Sequence, residues 1–340
     1  MPIGVYHFIS LKFCAKITNL PKEKGYFCAK SDRMLKIGFF GVQNPKAEQV
    51  DALREHGLFS LTGFYCADTL SPAAERGHFN LHLFGSFNEF CENVEAVFVT
   101  SPSLKQFDLY MQMLKKTKHL FFENPITFSR EQSTKLIETA SEAGVVIHFG
   151  HQNQVNPAYV AIKNSLHRPA LIITQTTTSP TDKDNREVID LLINDIIIAM
   201  LAADSEIKRV HASGVKVMGS TPDVIQTKIE FINGMVASLT GSRISTEKSH
   251  QTGFFGHNSH ISVDFLNVQA KILITTSAKI SGHFTDVIAD PENMIVKELA
   301  NFYNSIVHNI EPEVSVYASF KAIEVARQIM KKITASYQVK

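Results

Sequence analysis

The residues able to do chemistry in this chain fall at a few places. Asp190 and Asn194 stand four apart in an apolar stretch of helical periodicity, with Asp195 next in line, so a carboxylate and an amide share one helix face a turn apart. The carboxylate is able to take or give a proton or to bond within a partly buried helix; the amide does not titrate and only hydrogen-bonds. Glu123-Asn124-Pro125 and Gly41-Val42-Gln43-Asn44-Pro45-Lys46 each follow a short apolar run, where a strand end hands the chain to a turn. His250, His257 and His260 lie close in sequence, but no carboxylate or cysteine stands at metal-ligand spacing; the segment reads as a polar loop and no metal site is expected. Cys14, Cys28, Cys66 and Cys91 are far apart and form no C-x-x-C pair, which argues against a disulfide framework or structural zinc. Neither a G-x-S-x-G elbow nor a P-loop occurs.

The 340 residues are 44% hydrophobic and 20% charged, enough apolar side chain for a large core, so intrinsic disorder is excluded as the main state. That length suits two domains. Lys plus Arg number 34 against 33 Asp plus Glu, which leaves no summed field to draw in nucleic acid or an anionic membrane, and neither is expected as a partner. The most apolar stretch, 189–202, is interrupted by Asp190, Asn194 and Asp195 and does not read as a bilayer span. The first residues lack a basic region leading into an apolar run, so no secretory signal is read and a cytoplasmic location is expected. Residues 1–33 carry two of the four cysteines and a Pro21-Lys22-Glu23-Lys24-Gly25 turn; they read as an accessory hairpin or as sequence ahead of a natural start at Met34.

From Lys36 short apolar runs alternate with helical periodicity, the pattern of β-α-β units on a parallel sheet. Strands are predicted over 37–41, 61–66, 96–100, 119–122 and 145–149, the third closed by Ser101-Pro102. The first helix is expected to be capped by Asn44, with Pro45 in its first position and Gly57 as its stop; others run over 107–116 and 129–143, the latter between Ser129 as cap and Gly144 as stop. Beyond Pro157 the rhythm changes: one short helix, a strand over 171–177, a loop over 180–186 and a helix over 187–203. Strands over 210–217, 224–232, 235–243, 260–266 and 270–275 follow in succession, with Asn233-Gly234 as a hairpin turn, and helices over 298–308 and 318–336 close the chain. The expected fold class is an α/β Rossmann domain, a doubly wound parallel sheet over 34–153, plus an α+β domain with a large, mainly antiparallel open sheet over 154–340. The last helices are expected to pack back toward the first domain.

In this order, a doubly wound domain, Glu123-Asn124-Pro125 after a strand, Asp190-x-x-x-Asn194-Asp195 on a helix, Phe231-Ile232-Asn233-Gly234 in the meander and Glu298-Leu299-x-x-Phe302 near the end make a layout that resembles the Gfo/Idh/MocA family of NAD(P)-dependent oxidoreductases. Ala212-Ser213-Gly214-Val215, Thr221-Pro222-Asp223 and Ala237-Ser238-Leu239-Thr240-x-Ser242-Arg243 look like its bacterial branch that acts on nucleotide-linked amino sugars. The resemblance implies hydride transfer between a sugar carbon and NAD or NADP, a sugar or nucleotide sugar as ligand, and a homodimer or higher homo-oligomer formed through the second-domain sheet.

The family's functional positions are altered here one after another. Its phosphate cradle is G-x-G-x-x-G or A; only Gly41 matches, Gln43 sets a side chain in phosphate space, Asn44 and Pro45 follow, Pro45 removes an N–H, and Lys46 offers a compensating charge. The acid that meets the adenosine ribose is replaced by Cys66, with Asp68 two residues on as a substitute and a buried strand-end thiol as the plainer reading of Cys66. Ser101, Pro102 and Glu123, at strand ends, complete the cofactor-binding set that the resemblance implies. The lysine of its E-K-P motif is Asn124 and the histidine of D-x-x-x-H-D is Asn194, which leaves Asp190 alone of the catalytic set; Gln154 stands for a basic residue in the substrate cleft, with Asn156 beside it. Loss of a positioned general base lowers a rate by about a hundredfold to ten-thousandfold. The joint change implies a descendant of a sugar or nucleotide-sugar dehydrogenase in which hydride transfer is lost or attenuated and a ligand-binding or partner role remains. The alternatives are an active oxidoreductase using Asp190 as base and Lys46 at the phosphates, and a subunit that pairs with an active paralogue.

Overall fold

In the computed structural model the chain divides into residues 1–34 and 35–340. The structure describes residues 33–42, 44–67, 79–100, 103–123, 128–180, 187–274, 284–287 and 293–337, and every described element lies in the second unit. Its first part alternates β1 (Leu35–Gly41), α1 (Ala47–His56), β2 (Phe59–Cys66), α2 (Phe87–Asn93), β3 (Ala96–Val99), α3 (Phe107–Lys115), β4 (His119–Phe122), α4 (Arg130–Ala143) and β5 (Ile147–Phe149). The strands form one parallel sheet in the order β2-β1-β3-β4-β5. A parallel sheet needs both faces covered, which is why Phe39 and Phe40, neighbours in β1, are both fully buried, on opposite sides. Phe39 joins Phe98, Phe121, Val50 and Leu53; Phe40 joins Phe90, Tyr110 and Phe122. A side chain at Gly38 would stand 2.6 Å from the Phe90 ring, so this glycine lets α2 lie directly on the sheet.

Then come α5 (Gln152–Val155), α6 (Pro157–Lys163), β6 (Leu171–Thr177) and α7 (Val188–Ala203), the strands β7 (Ile207–Val215), β8 (Val224–Phe231), β9 (Val236–Ser242), β10 (Ser249–Gly256), β11 (Ser259–Asp264), β12 (Gln269–Ile274) and β13 (Phe284–Val287), and the helices α8 (Met294–Val307) and α9 (Val316–Tyr337). The second sheet runs β13-β12-β11-β10-β6-β9-β8-β7. It is antiparallel except at β6 and β9, a parallel pair that the crossover through α7 makes possible. β8 alternates buried and outward residues as a half-covered strand should, its Ile225 and Ile229 facing the core beside Ile196 of α7 and Ile329 of α9. The two closing helices also meet the first sheet: Phe302 of α8 stacks on Phe59 and meets Phe121 at a tilt, and Phe320 of α9 meets Phe149 edge-on.

Several elements differ from those expected. α1 is capped at Lys46 rather than Asn44, and Pro45 stands ahead of the helix, because Gln49 turns its amide oxygen back onto the Lys46 N–H at 2.7 Å and fixes the start there. α2, β10 and β13 had no expected counterpart. β10 overturns the polar loop at His250, which lies in that strand; His260 falls in β11, where a strand over 260–266 was expected, and His257 in the turn between them. The Asn-Gly turn between β8 and β9 spans Ile232, Asn233 and Gly234, since Phe231 and Met235 are already bonded, and Gly234 takes the left-handed conformation at φ 91°.

Candidate functional site

The turn after β1 is closed by its own side chains. Gln49 is 1% exposed; its oxygen accepts from the Lys46 N–H and its Nε2 donates to Glu123 Oε2 at 2.7 Å, tying α1 to the end of β4. The Gln49 and Val50 N–H groups both point at the Lys46 carbonyl, and Pro45 has no N–H. Lys46 lies exposed, 3.8 Å from Glu48. β2 ends in the half-buried Cys66, whose thiol faces the Val42 carbonyl at 3.9 Å, with no carboxylate among the described residues at that strand end. A pyrophosphate needs free N–H groups and close backbone approach, and a ribose diol needs an acidic acceptor. Among the described residues the turn differs from the Rossmann fingerprint in two ways: Pro45 has no N–H to give, and the Lys46 N–H is taken by Gln49.

A second cluster gathers where β5 ends. The Glu298 carboxylate, buried in α8, accepts from His148 Nε2 at 2.7 Å and from the His151 N–H at 2.8 Å. The His151 ring bonds Asn194 Oδ1 at 3.3 Å and Ser319 Oγ at 2.7 Å, joining α7 and α9 to the same point. Burial pushes His151 down to about 4; the Glu298 charge and the Asn194 bond pull it up, and His148 adds to the fall. His151 is therefore neutral at ordinary pH. Its Nδ1–H donates to Asn194, and its Nε2 faces the Ser319 hydroxyl, which also reaches the Ser315 carbonyl at 3.1 Å. Glu123 enters this end of the sheet too: a side chain at Gly150 would stand 2.6 Å from the Glu123 carbonyl, so only glycine lets β5 and β4 close there.

One residue further along α7, Asp195 is 1% exposed, between buried Ile193 and Ile196. Oδ1 accepts from His250 Nε2 at 2.7 Å and from the Asn153 amide at 3.3 Å; Oδ2 accepts from the Thr176 hydroxyl at 2.7 Å. Sheet register sets this up, since His250 of β10 lies directly opposite Thr176 of β6. Burial lowers the His250 pKa, but the charge and hydrogen bond of Asp195 outweigh it, with a smaller push from Asp264, and the result is raised. The other ring nitrogen, Nδ1, has no partner among the described residues, and the side chain is 19% exposed.

Gln154 of α5 is 5% exposed, and neither its amide N–H nor its carbonyl has a partner. An enclosed, unbonded amide costs about 1–3 kcal/mol. Gln154→Met is expected to raise stability by about that much, read as a higher urea midpoint at unchanged slope; an unchanged or lower midpoint would mean that the amide is bonded in solution. Asn156 differs: Oδ1 caps α6 through the Ala158 N–H at 3.0 Å, and Nδ2 donates to the Phe265 carbonyl at 3.0 Å.

Of the residues singled out from sequence, Gln43, Asp68, Ser101, Pro102 and Asn124 lie outside the described residues. Gly41 is the buried end of β1, Asn44 is exposed and Asp190 is half-buried in the first turn of α7. Glu123 and Asn194 each join a buried cluster, and Asn156 bonds Phe265, whose ring lies against His250. Sequence reasoning passed over His151, Thr176, Asp195, His250 and Glu298 as polar groups of the site. The available signal was a carboxylate in the body of each of two largely apolar helices, Asp195 among isoleucines and Glu298 beside Leu299 and Phe302.

A model of the oxidoreductase family with an NAD-binding Rossmann fold matches residues 35–151. The UDP-N-acetylglucosamine 3-dehydrogenase of Acidithiobacillus ferrooxidans is 24% identical over 288 residues, covering 83% of this chain and 92% of that protein. The scyllo-inositol 2-dehydrogenase (NAD(+)) of Bacillus subtilis is 26% identical over 200 residues, 54% of this chain and 56% of its own length. Among solved structures, the Acidithiobacillus ferrooxidans enzyme superposes with a TM-score of 0.81 at 22% identity, over 89% of this chain and 99% of the other. Biliverdin reductase from Synechocystis superposes with a TM-score of 0.71 at 14% identity, over 88% of this chain and 99% of the other. At these identities the superpositions establish the fold.

Proposed function

For a chain whose residues 35–151 belong to the Gfo/Idh/MocA family of oxidoreductases, we propose a protein that binds a sugar or nucleotide sugar and in which dinucleotide-dependent hydride transfer is lost or attenuated. The observation that carries this reading is Asn194: on the helix that pairs it with Asp190 it offers an amide, which cannot relay a proton, and its oxygen is already held by His151. The described part of the turn between Gly41 and Gln49 supports it from the cofactor side, because Pro45 has no N–H and the Lys46 N–H is taken by Gln49. The ligand class rests on likeness to a UDP-N-acetylglucosamine dehydrogenase along most of both chains.

Calorimetry tests the reading. UDP-N-acetylglucosamine is expected to bind, NADH and NADPH to give no heat at millimolar concentration, and the mixture to show no change in the reduced-cofactor absorbance band. Micromolar binding of either dinucleotide, with turnover of the sugar nucleotide, would overturn it. A second reading, an active oxidoreductase using altered residues, is favoured by one observation: Asp195 holds an imidazole, His250, beside the same helix.

A further inference from the structure

His250 has the construction of a working group rather than a packing one. A buried carboxylate fixes one ring nitrogen, Thr176 and Asn153 fix the carboxylate, and Nδ1 has no partner among the described residues on a side chain that still reaches solvent. A merely structural histidine has no need of so full a support for one nitrogen while the other goes unused. The chemistry around it limits what it meets. Asp195 from α7 and Asp264 from the end of β11 are the charges acting on the ring, and both repel an anion. The Phe265 ring, 4.7 Å away between centroids, offers an apolar face. α5 supplies Asn153 against the imidazole and, as the next residue, Gln154 with an unbonded amide. Two acidic groups, amides and an aromatic face suit a neutral, hydroxyl-bearing ring better than a diphosphate.

We propose that His250 contacts the bound sugar directly, its Nδ1 hydrogen-bonding a sugar hydroxyl while Asp195 holds Nε2–H. This rests on the sugar-binding reading above and deepens it by assigning the sugar moiety, rather than the nucleotide, to the space beside α5 and β10. No bond is made or broken in this role, and it needs no cofactor.

His250→Gln separates the roles, because a glutamine amide reaches the Nε2 position and keeps a bond to Asp195 but leaves nothing at Nδ1. The full-length protein is titrated with UDP-N-acetylglucosamine and with free N-acetylglucosamine by calorimetry, and thermal melting is recorded for each variant. The expected result is a melting temperature close to that of the unaltered protein with affinity for both ligands lower by about tenfold, the worth of one well-placed hydrogen bond. In the unaltered protein the His250 ring 15N signals are expected to move on addition of either ligand, a readout that needs no variant. Binding that is unchanged in His250→Gln, with ring signals that stay still, overturns the role of His250 while the sugar-binding reading stands. No binding of either ligand to the unaltered protein overturns both.

Discussion

Glu298→Ala is expected to destabilise the protein by about 2–6 kcal/mol, because it leaves the buried partners of two hydrogen bonds unsatisfied at about 1–3 kcal/mol each. Glu298 is 4% exposed, and its two oxygens are held by different parts of the chain: Oε2 by the His148 ring and Oε1 by the His151 N–H. Alanine leaves His148 with neither ring nitrogen bonded, since Nδ1 has no partner to begin with. It also strands a buried backbone N–H. Glu298→Gln is expected to cost much less, about 1 kcal/mol, because its oxygen still accepts from His151. Urea unfolding measures both, and amide exchange at His151 locates the loss; equal effects of Ala and Gln would show that packing rather than hydrogen bonding sets the cost. The consequence reaches the candidate site, since His151 orients Asn194.

How much of the structure is legible in the sequence depends on how local each signal is. Ser129 and Gly144 name the ends of α4 because their jobs are done by neighbours: Ser129 Oγ accepts from the Gln132 N–H, and Gly144 takes φ 65°. β4 and β6 fall where their apolar runs place them. β10 carries no such signal. Ser249, Gln251, Thr252, Gly253 and Gly256 dilute its apolar pattern, and it is a strand because β6 and β11 bond it on both sides, a tertiary cause invisible in eight residues. The misassigned start of α1 has a similar origin, since Gln49 is fixed by Glu123, far away in sequence. The clusters at the site are more distant still: Asp195 meets His250 only after a sheet has formed, and Glu298 meets His148 across the length of the two domains expected from sequence. The altered motif residues were readable; their surroundings were not.

Thr221-Pro222-Asp223 and Arg243 at the end of β9, separate in sequence, form one structural joint, and it gives a pH-dependent prediction. Asp223 is fully buried; Oδ2 accepts from the Val217 and Met218 N–H groups and Oδ1 from Arg243 Nε, all at 2.7 Å, while Arg243 also reaches Thr221 Oγ1 at 2.9 Å. The Met218 N–H is the strongest influence on the carboxyl; burial opposes it, and the Val217 N–H and Arg243 carry the balance downward, to about 2. The folded value lies below the ordinary one of 3.8, so the carboxylate contributes stability above about pH 4 and loses it as the pH falls through 2. By linkage that contribution is about 2 kcal/mol at neutral pH. Asp223→Asn is therefore expected to be less stable than the unaltered protein by about 2 kcal/mol at neutral pH, with a deficit that narrows below about pH 4. Comparing the two proteins by urea unfolding across that range cancels the titration of every other acid. A deficit that stays constant down to about pH 2 would show that the amide's geometry, not the charge, is what the joint requires.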